Sequence, residues 1–316
     1  MSHQAPPVGS AASAPRDRHR PARIRRPLRQ TAVAYAFIAP FMLLFAAMLA
    51  IPLLYTGYLS LFREQLIGGT VFAGLGNYRH ALGDPLFREG VLRMARFLLI
   101  QVPVMLAVSL AFALILDSGR LRLARFIRLG IFVPYAVPGV IAALMWGYLY
   151  GPDFGPFAQL ARHTGLGTPG FLTSHWILAS MANVVSWEFI GYNMIVMFAA
   201  LQSVPKELYE AAAVDGAGPV RIAWHVKIPA IRPALLLTLI FSVIGTFQLF
   251  NEPKLFAVLA PNAVGSAYSP NLYVYNLVFV NQQLNYSAAV SFLLAAVIVV
   301  VSYAVLFAAN RRNHQP

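Results

Sequence analysis

A single carboxylate interrupts an otherwise uncharged apolar run: Glu188, within the stretch NVVSWEFIGYN. A carboxylate at the centre of a bilayer costs about 2.5–3.5 kcal/mol on insertion scales, so such a residue usually faces protein or a water-filled path. Trp187 precedes it and Asn193 follows five residues later. A second apolar run ends in Gln248 and Asn251, just ahead of Glu252, which has Lys254 as a partner within reach. Aromatic faces beside amide and carboxyl groups suit a solute with apolar ring faces and many hydroxyls, as in a sugar. Trp187, Glu188, Asn193, Gln248 and Asn251 are therefore candidate contacts along a solute path. The same side chains serve equally as hydrogen-bonded packing between helices, and both readings stay open.

Other chemistries lack their residues. With no cysteine, disulfides, thiolate metal sites and cysteine nucleophiles are excluded. The lysines are Lys206, Lys227 and Lys254, and none completes a phosphate loop of the form GxxxxGK[ST]. Neither GxSxG nor HExxH occurs, and the 7 histidines are scattered without metal-ligand spacing. The expectation is a non-enzymatic chain that binds no metal or cofactor of its own.

The segment from Ser203 to Pro233, SVPKELYEAAAVDGAGPVRIAWHVKIPAIRP, is the longest of the loops that the basic residues place on the inner side. Pro205 stands near a helix start, where its missing N–H does no harm. Lys206 and Glu210 are spaced to pair on a helix. Ala211 and Ala212 combine high helix propensity with little bulk, and Gly216 can take the left-handed conformation that ends a helix. Pro219 suits a new first turn, and Pro229 closes the second helix. The residues thus predict two short helices joined by a glycine turn. The first carries a small-residue face flanked by Glu207, Glu210 and Asp215. That face fits a docking protein, and it fits equally a loop lying on a membrane surface.

Elements that position these residues follow from hydropathy. The chain is 59% hydrophobic and 11% charged, against about 25% charged in soluble globular chains. Crossing about 30 Å of hydrocarbon takes roughly 20 apolar residues. Six runs qualify: one between Arg29 and Arg63, then Phe97 to Leu116, Leu129 to Pro152, Trp176 to Val204, Pro233 to Asn251, and Tyr286 to Ala309. The uncharged region 255–285 is cut by Pro261 and Pro270 and reads as an external loop with a short inserted piece. Most of the 24 lysines and arginines fall on one set of loops together with both ends of the chain. By the positive-inside rule both termini are cytoplasmic. The net charge of +13 thus reflects membrane orientation, not nucleic-acid binding. The fold class is an all-α polytopic membrane protein with six transmembrane helices. Residues 1–30, rich in Pro and Arg, read as a disordered basic tail, and 311–316 as a second cytoplasmic tail.

Glu210-Ala211-Ala212, then Gly216, then Val226-x-Ile228-Pro229 resembles the EAA loop of ABC importer permeases. The family pattern is EAA, three residues, Gly, nine residues, then Ile-x-Leu-Pro. Here Ala213 to Asp215 and Ala217 to His225 fill the gaps. The stretch AALQSVPKELYEAAAVDGA and the GLGNY at Gly74 to Tyr78 are similar to the sugar-importer branch, the maltose and glycerol-3-phosphate-like systems. The resemblance implies a permease domain over 31–310 with its coupling loop at 203–232. Glu210, Ala211, Ala212, Asp215, Gly216 and Pro229 would form the docking hairpin. It further implies a multi-pass protein of the bacterial inner membrane that works with a second permease, two ABC ATPase subunits and an extracytoplasmic solute-binding protein. ATP and Mg would be used by the ATPases. A carbohydrate is the implied solute, with glycerol-3-phosphate or another polyol as the alternative. An ion-coupled secondary transporter using Glu188 is the rival outside the family, and it leaves the loop unexplained.

Overall fold

The structure, a computed structural model, describes residues 28–311 except Leu66, Arg120 and Leu166. The expected tails lie outside these residues, apart from Leu28 to Gln30, which already belong to a helix, and Arg311, which ends one. Two units are distinct, residues 1–54 and 55–316. In the first, α1 (Leu28–Phe45) passes through a π turn (Ala46–Ala50) into α2 (Ile51–Ser60). Pro52 has no N–H for the regular ladder, and a one-residue slip just before it absorbs the loss.

The second unit begins within α2, at Tyr55, and continues into a hairpin of β1 (Phe62–Gln65) and β2 (Gly69–Phe72), antiparallel, with Phe62 opposite Phe72. Gly68 in its turn and Gly69 at the start of β2 take φ of +107° and +75°. A short α3 (Gly76–Gly83) leads to α4 (Pro85–Asp117). The 33 residues of α4 give a helix about 50 Å long, well beyond the hydrocarbon thickness. It starts twelve residues before the expected span at Phe97, so Arg88, Arg93 and Arg96 are helical. Arg93 donates to Tyr268 O at 2.8 Å and lies over that residue's ring.

The third apolar run is not one helix. Helix α5 (Ala124–Phe132) passes through a 3₁₀ turn (Val133–Ala136) and meets α6 (Gly139–Leu149) at a bend of 97°. Pro138 forces the preceding residue out of helical conformation, and Val137 is extended at φ −77°, ψ 126°. The apolar run from Leu129 to Pro152 thus makes its span as a bent pair of helices.

After α7 (Pro156–His163), α8 (Ile177–Gln202) runs parallel to α4, with Gln101 beside Ser186 and Asp117 beside Gln202. Then come α9 (Lys206–Val214), α10 (Pro219–Ile222) and α11 (Ile228–Ala230), the last two joined by a π turn (Ala223–Lys227). The fifth apolar run is also broken: α12 (Arg232–Phe247) ends three residues before α13 (Asn251–Leu259). A short α14 (Pro270–Phe279) precedes the final α15 (Leu284–Arg311). Among the described residues five helical stretches are long and apolar enough to cross a bilayer, and the bent α5–α6 pair makes a sixth. The region 255–285 is more than a loop: Leu272, Tyr273 and Leu277 of α14 are buried in the main apolar core.

Two apolar cores form. One gathers Phe97, Met181, Val184, Phe247 and Phe256 near the hairpin end of the bundle. The other gathers Ala113, Leu116, Met194, Met197, Leu201 and Ile231 near the α9–α11 loop. Along α4 and α8 a polar interval separates them, carrying Gln101, Glu188 and Asn193. At Gly191 the backbones of α8 and the bent segment touch, because a Cβ there would collide with Ile131 O and the Phe132 Cα.

Candidate functional site

A cavity of about 490 Å³ opens in that polar interval, within the range usual for small-molecule sites. Helix α8 supplies Val185, Glu188, Phe189, Tyr192 and Asn193, a single i, i+3, i+4, i+7, i+8 stripe. Gln101 and Met105 come from α4, Tyr135 and Gly139 from the bend, and Ser242 and Thr246 from α12. The break after α12 brings in Gln248, Phe250, Asn251 and Glu252.

Of the sequence candidates, Glu188, Asn193, Gln248 and Asn251 line this cavity, and Trp187 does not. One residue along a helix is a turn of about 100°. That places Trp187 off the stripe, edge-on to Trp146 with ring centres 5.8 Å apart. Asn193 is 3% exposed and donates to Phe189 O at 3.0 Å. Glu188 is 6% exposed, and its Oε1 has no hydrogen-bond partner among the described residues. Glu252 is 4% exposed, and Lys254 does not pair with it but lies over the Tyr275 ring at 4.3 Å. Gly139 makes room at the bend: a Cβ there would stand 2.8 Å from Asn251 Nδ2 and 3.6 Å from Glu188 Oε1.

The break between α12 and α13 frees carbonyls that α14 recovers. Asn271 Nδ2 donates to Gln248 O at 2.9 Å, and Ser269 Oγ to Leu249 O at 2.8 Å. A broken span inside a membrane persists only with such replacements.

An aromatic wall was not legible as a site. Tyr135 stacks on Tyr192 at 4.8 Å and meets Phe189 edge-on at 5.8 Å. Two prolines around Tyr135 in VPYAVPG were the available signal, since a broken span marks irregular backbone that lines protein or water.

The second candidate region is the loop after α8. Helix α9 ends in a Schellman turn: Ala217 N–H donates to Ala212 O at 2.9 Å, Gly216 N–H to Ala213 O at 3.0 Å, with Gly216 at φ +79°. Glu210, Ala211, Asp215 and Pro229 are exposed, and Ala212 is half-buried. Lys206 and Glu210 form no ion pair; among the described residues the ion pair found is Lys227 with Asp117. Asp117 ends α4 and also accepts from Gln202 Nε2 at 2.7 Å at the end of α8. Lys227 lies over the Tyr209 ring at 4.6 Å, so one lysine joins α9, the π turn and α4.

A bundle of broken apolar helices with a polar mid-depth cavity and a tethered exposed hairpin defines a membrane transport subunit. Residues 104–315 match the family of binding-protein-dependent transport system inner membrane components, and the chain belongs to it. It is 31% identical to the lactose transport system permease protein LacF of Rhizobium radiobacter, over 88% of this chain and 94% of that protein. It is 30% identical to the arabinooligosaccharides transport system permease protein AraP of Bacillus subtilis (strain 168), over 86% of each. The sn-glycerol-3-phosphate transport system permease protein UgpA of Brucella abortus biovar 1 (strain 9-941) is 28% identical, over 85% of this chain and 91% of that protein. The fold is shared with a bacterial ABC transporter that imports the acidic polysaccharide alginate, with a TM-score of 0.76 at 19% identity over 90% of this chain and 97% of that one.

Proposed function

We propose that this inner-membrane chain forms half of the path by which an ATP-driven importer carries a carbohydrate handed over by an extracytoplasmic solute-binding protein. A second permease supplies the other half, and two ABC ATPase subunits use ATP and Mg. The α9–α11 hairpin faces the cytoplasm, as do both termini, in keeping with the basic residues on that side. Glu210, Ala211, Ala212 and Asp215 dock on an ATPase subunit, while Gly216 and Pro229 set the turn and the far end. Glu188, Asn193, Gln248 and Asn251, with the aromatic wall, contact the solute during passage. Trp187 acts on the path only through its packing on Trp146.

The observation that carries this reading is the exposed hairpin joined to two span ends through Lys227, Asp117 and Gln202. A face of small and acidic residues receives another protein, and the linkage hands its displacement to α4 and α8. Leu208 and Val214 are 50% and 87% exposed on the same helix, apolar surface that a partner would cover.

The chain has no cysteine, so Ala212→Cys introduces a unique thiol. In the complete transporter, a short thiol-reactive crosslinker at that position should capture an ATPase subunit, and the adduct should lose ATP-dependent uptake. Crosslinks confined to lipid or to the solute-binding protein, with uptake persisting without the ATPases, would replace this reading with an ion-coupled carrier.

A further inference from the structure

The charge of the cavity wall has a sign. Glu188 and Glu252 both line it, and among the described residues no lysine, arginine or histidine does. The nearest basic residue in sequence, Lys254, is held over Tyr275 instead. The remaining polar lining consists of amides and hydroxyls, and Tyr135, Tyr192 and Phe189 offer ring faces. A carboxylate repels an anion at close range and gives it no positive partner. A buried anion needs a cation or a set of donors to replace its water. A neutral solute needs only the hydroxyl partners already present, including the unpartnered Glu188 Oε1.

We infer that Glu188 and Glu252 make this chain's share of the path selective for uncharged, hydroxyl-rich solutes and exclude phosphate- or carboxylate-bearing ones. The inference rests on the carbohydrate reading and narrows it to neutral saccharides. Sugar phosphates and uronates, which keep the hydroxyls but add a negative charge, are rejected at mid-depth. The selectivity belongs to the path itself and acts in addition to that of the solute-binding protein.

Charged thiol reagents read the sign of the cavity without any knowledge of the solute. Ser242 lines the cavity and is half-buried. In the complete transporter bearing Ser242→Cys, the introduced thiol is treated with trimethylammonium-ethyl or sulfonato-ethyl methanethiosulfonate, and adducts on this chain are read by mass. The cationic reagent should react faster, by about tenfold or more beyond the ratio for free cysteine, because an unscreened like charge at close range repels strongly in a low-dielectric wall. Adding Glu188→Gln and Glu252→Gln should return the ratio to the free-thiol value. A ratio at or below the free-thiol value, a ratio unchanged by the two glutamines, or no reaction with either reagent overturns the inference. ATP-dependent uptake of lactose against lactobionate forms a separate arm. Lactobionate carried as fast as lactose also overturns it. Failure to carry lactose, with the thiol ratio intact, counts against the carbohydrate reading and leaves the charge selectivity standing.

Discussion

Each end of α4 carries one aspartate, and the two are held in opposite ways. Asp84, at the hairpin end, accepts from Leu86 N–H at 2.9 Å, from Tyr273 OH at 2.5 Å and from Tyr286 OH at 2.7 Å. These donors are neutral and tie α4 to α14 and α15. Asp117, at the loop end, meets the ammonium of Lys227 and one amide, from Gln202. Hydrogen bonds from phenols weaken steeply once misaligned, whereas attraction between compact charges fades gradually with distance. The first arrangement locks three helices in one geometry. The second can keep two span ends attached to the α9–α11 hairpin through a displacement of an ångström or so, as the proposed docking role requires.

The contrast breaks most visibly at the ionic end. Lys227→Ala strands a carboxylate whose side chain is 6% exposed, and removing one partner of a buried pair costs about 3–5 kcal/mol. Lys227 keeps some solvent contact, so a loss of about 3 kcal/mol is expected, read as a lower melting temperature of the purified complex and as ATP hydrolysis without uptake. The exchange Asp117→Lys with Lys227→Asp should restore at least half of the uptake. An exchange as inactive as the single variant would show that geometry, not attraction, carries the link.

At the other end Asp84→Ala removes an N-cap and orphans two phenols, an expected loss of about 2–3 kcal/mol in the same melting measurement. Unlike Lys227→Ala, it should leave the ratio of uptake to ATP hydrolysis unchanged. Tyr273→Phe alone should cost about 1 kcal/mol. Tyr273→Phe combined with Tyr286→Phe should depart from additivity, because both phenols serve one oxygen.

The smallest effect is one of pH. Burial raises the Asp84 carboxyl, but hydrogen bonds from Tyr273, Tyr286 and the backbone of Leu86 and Phe87 outweigh it and hold the group below its usual value. A depressed folded-state value means stability present above the unfolded carboxylate range and lost as pH falls below about 4. Melting temperatures between pH 6 and pH 3 should therefore drop less in Asp84→Asn than in the wild type.

The α9 helix and its glycine turn were legible because they are local: proline at a helix start, alanines, then glycine at the turn lie within a dozen residues, and the backbone follows them. Glu188 was legible because a charge stands out in an apolar run. The Asp117–Lys227 link was not, since 110 residues separate the partners and nothing in either neighbourhood names the other. The right-angled third segment was visible only as two prolines, Pro134 and Pro138, which bend membrane helices by amounts that surrounding packing decides. Tyr135 and Phe189 were hidden for a related reason: an aromatic residue in an apolar helix faces lipid, core or cavity alike. Trp187 was misplaced by one residue's rotation, which composition cannot resolve.

The contact at Gly191 has a mechanical corollary. Side chains elsewhere between helices act as compliant cushions that take up small shifts by changing rotamer. Where main chain rests on main chain there is no cushion, so axial sliding or rocking of α8 is delivered undamped to the right-angled segment. The wall of the cavity that carries Tyr135 is thereby geared to the helix that carries Glu188.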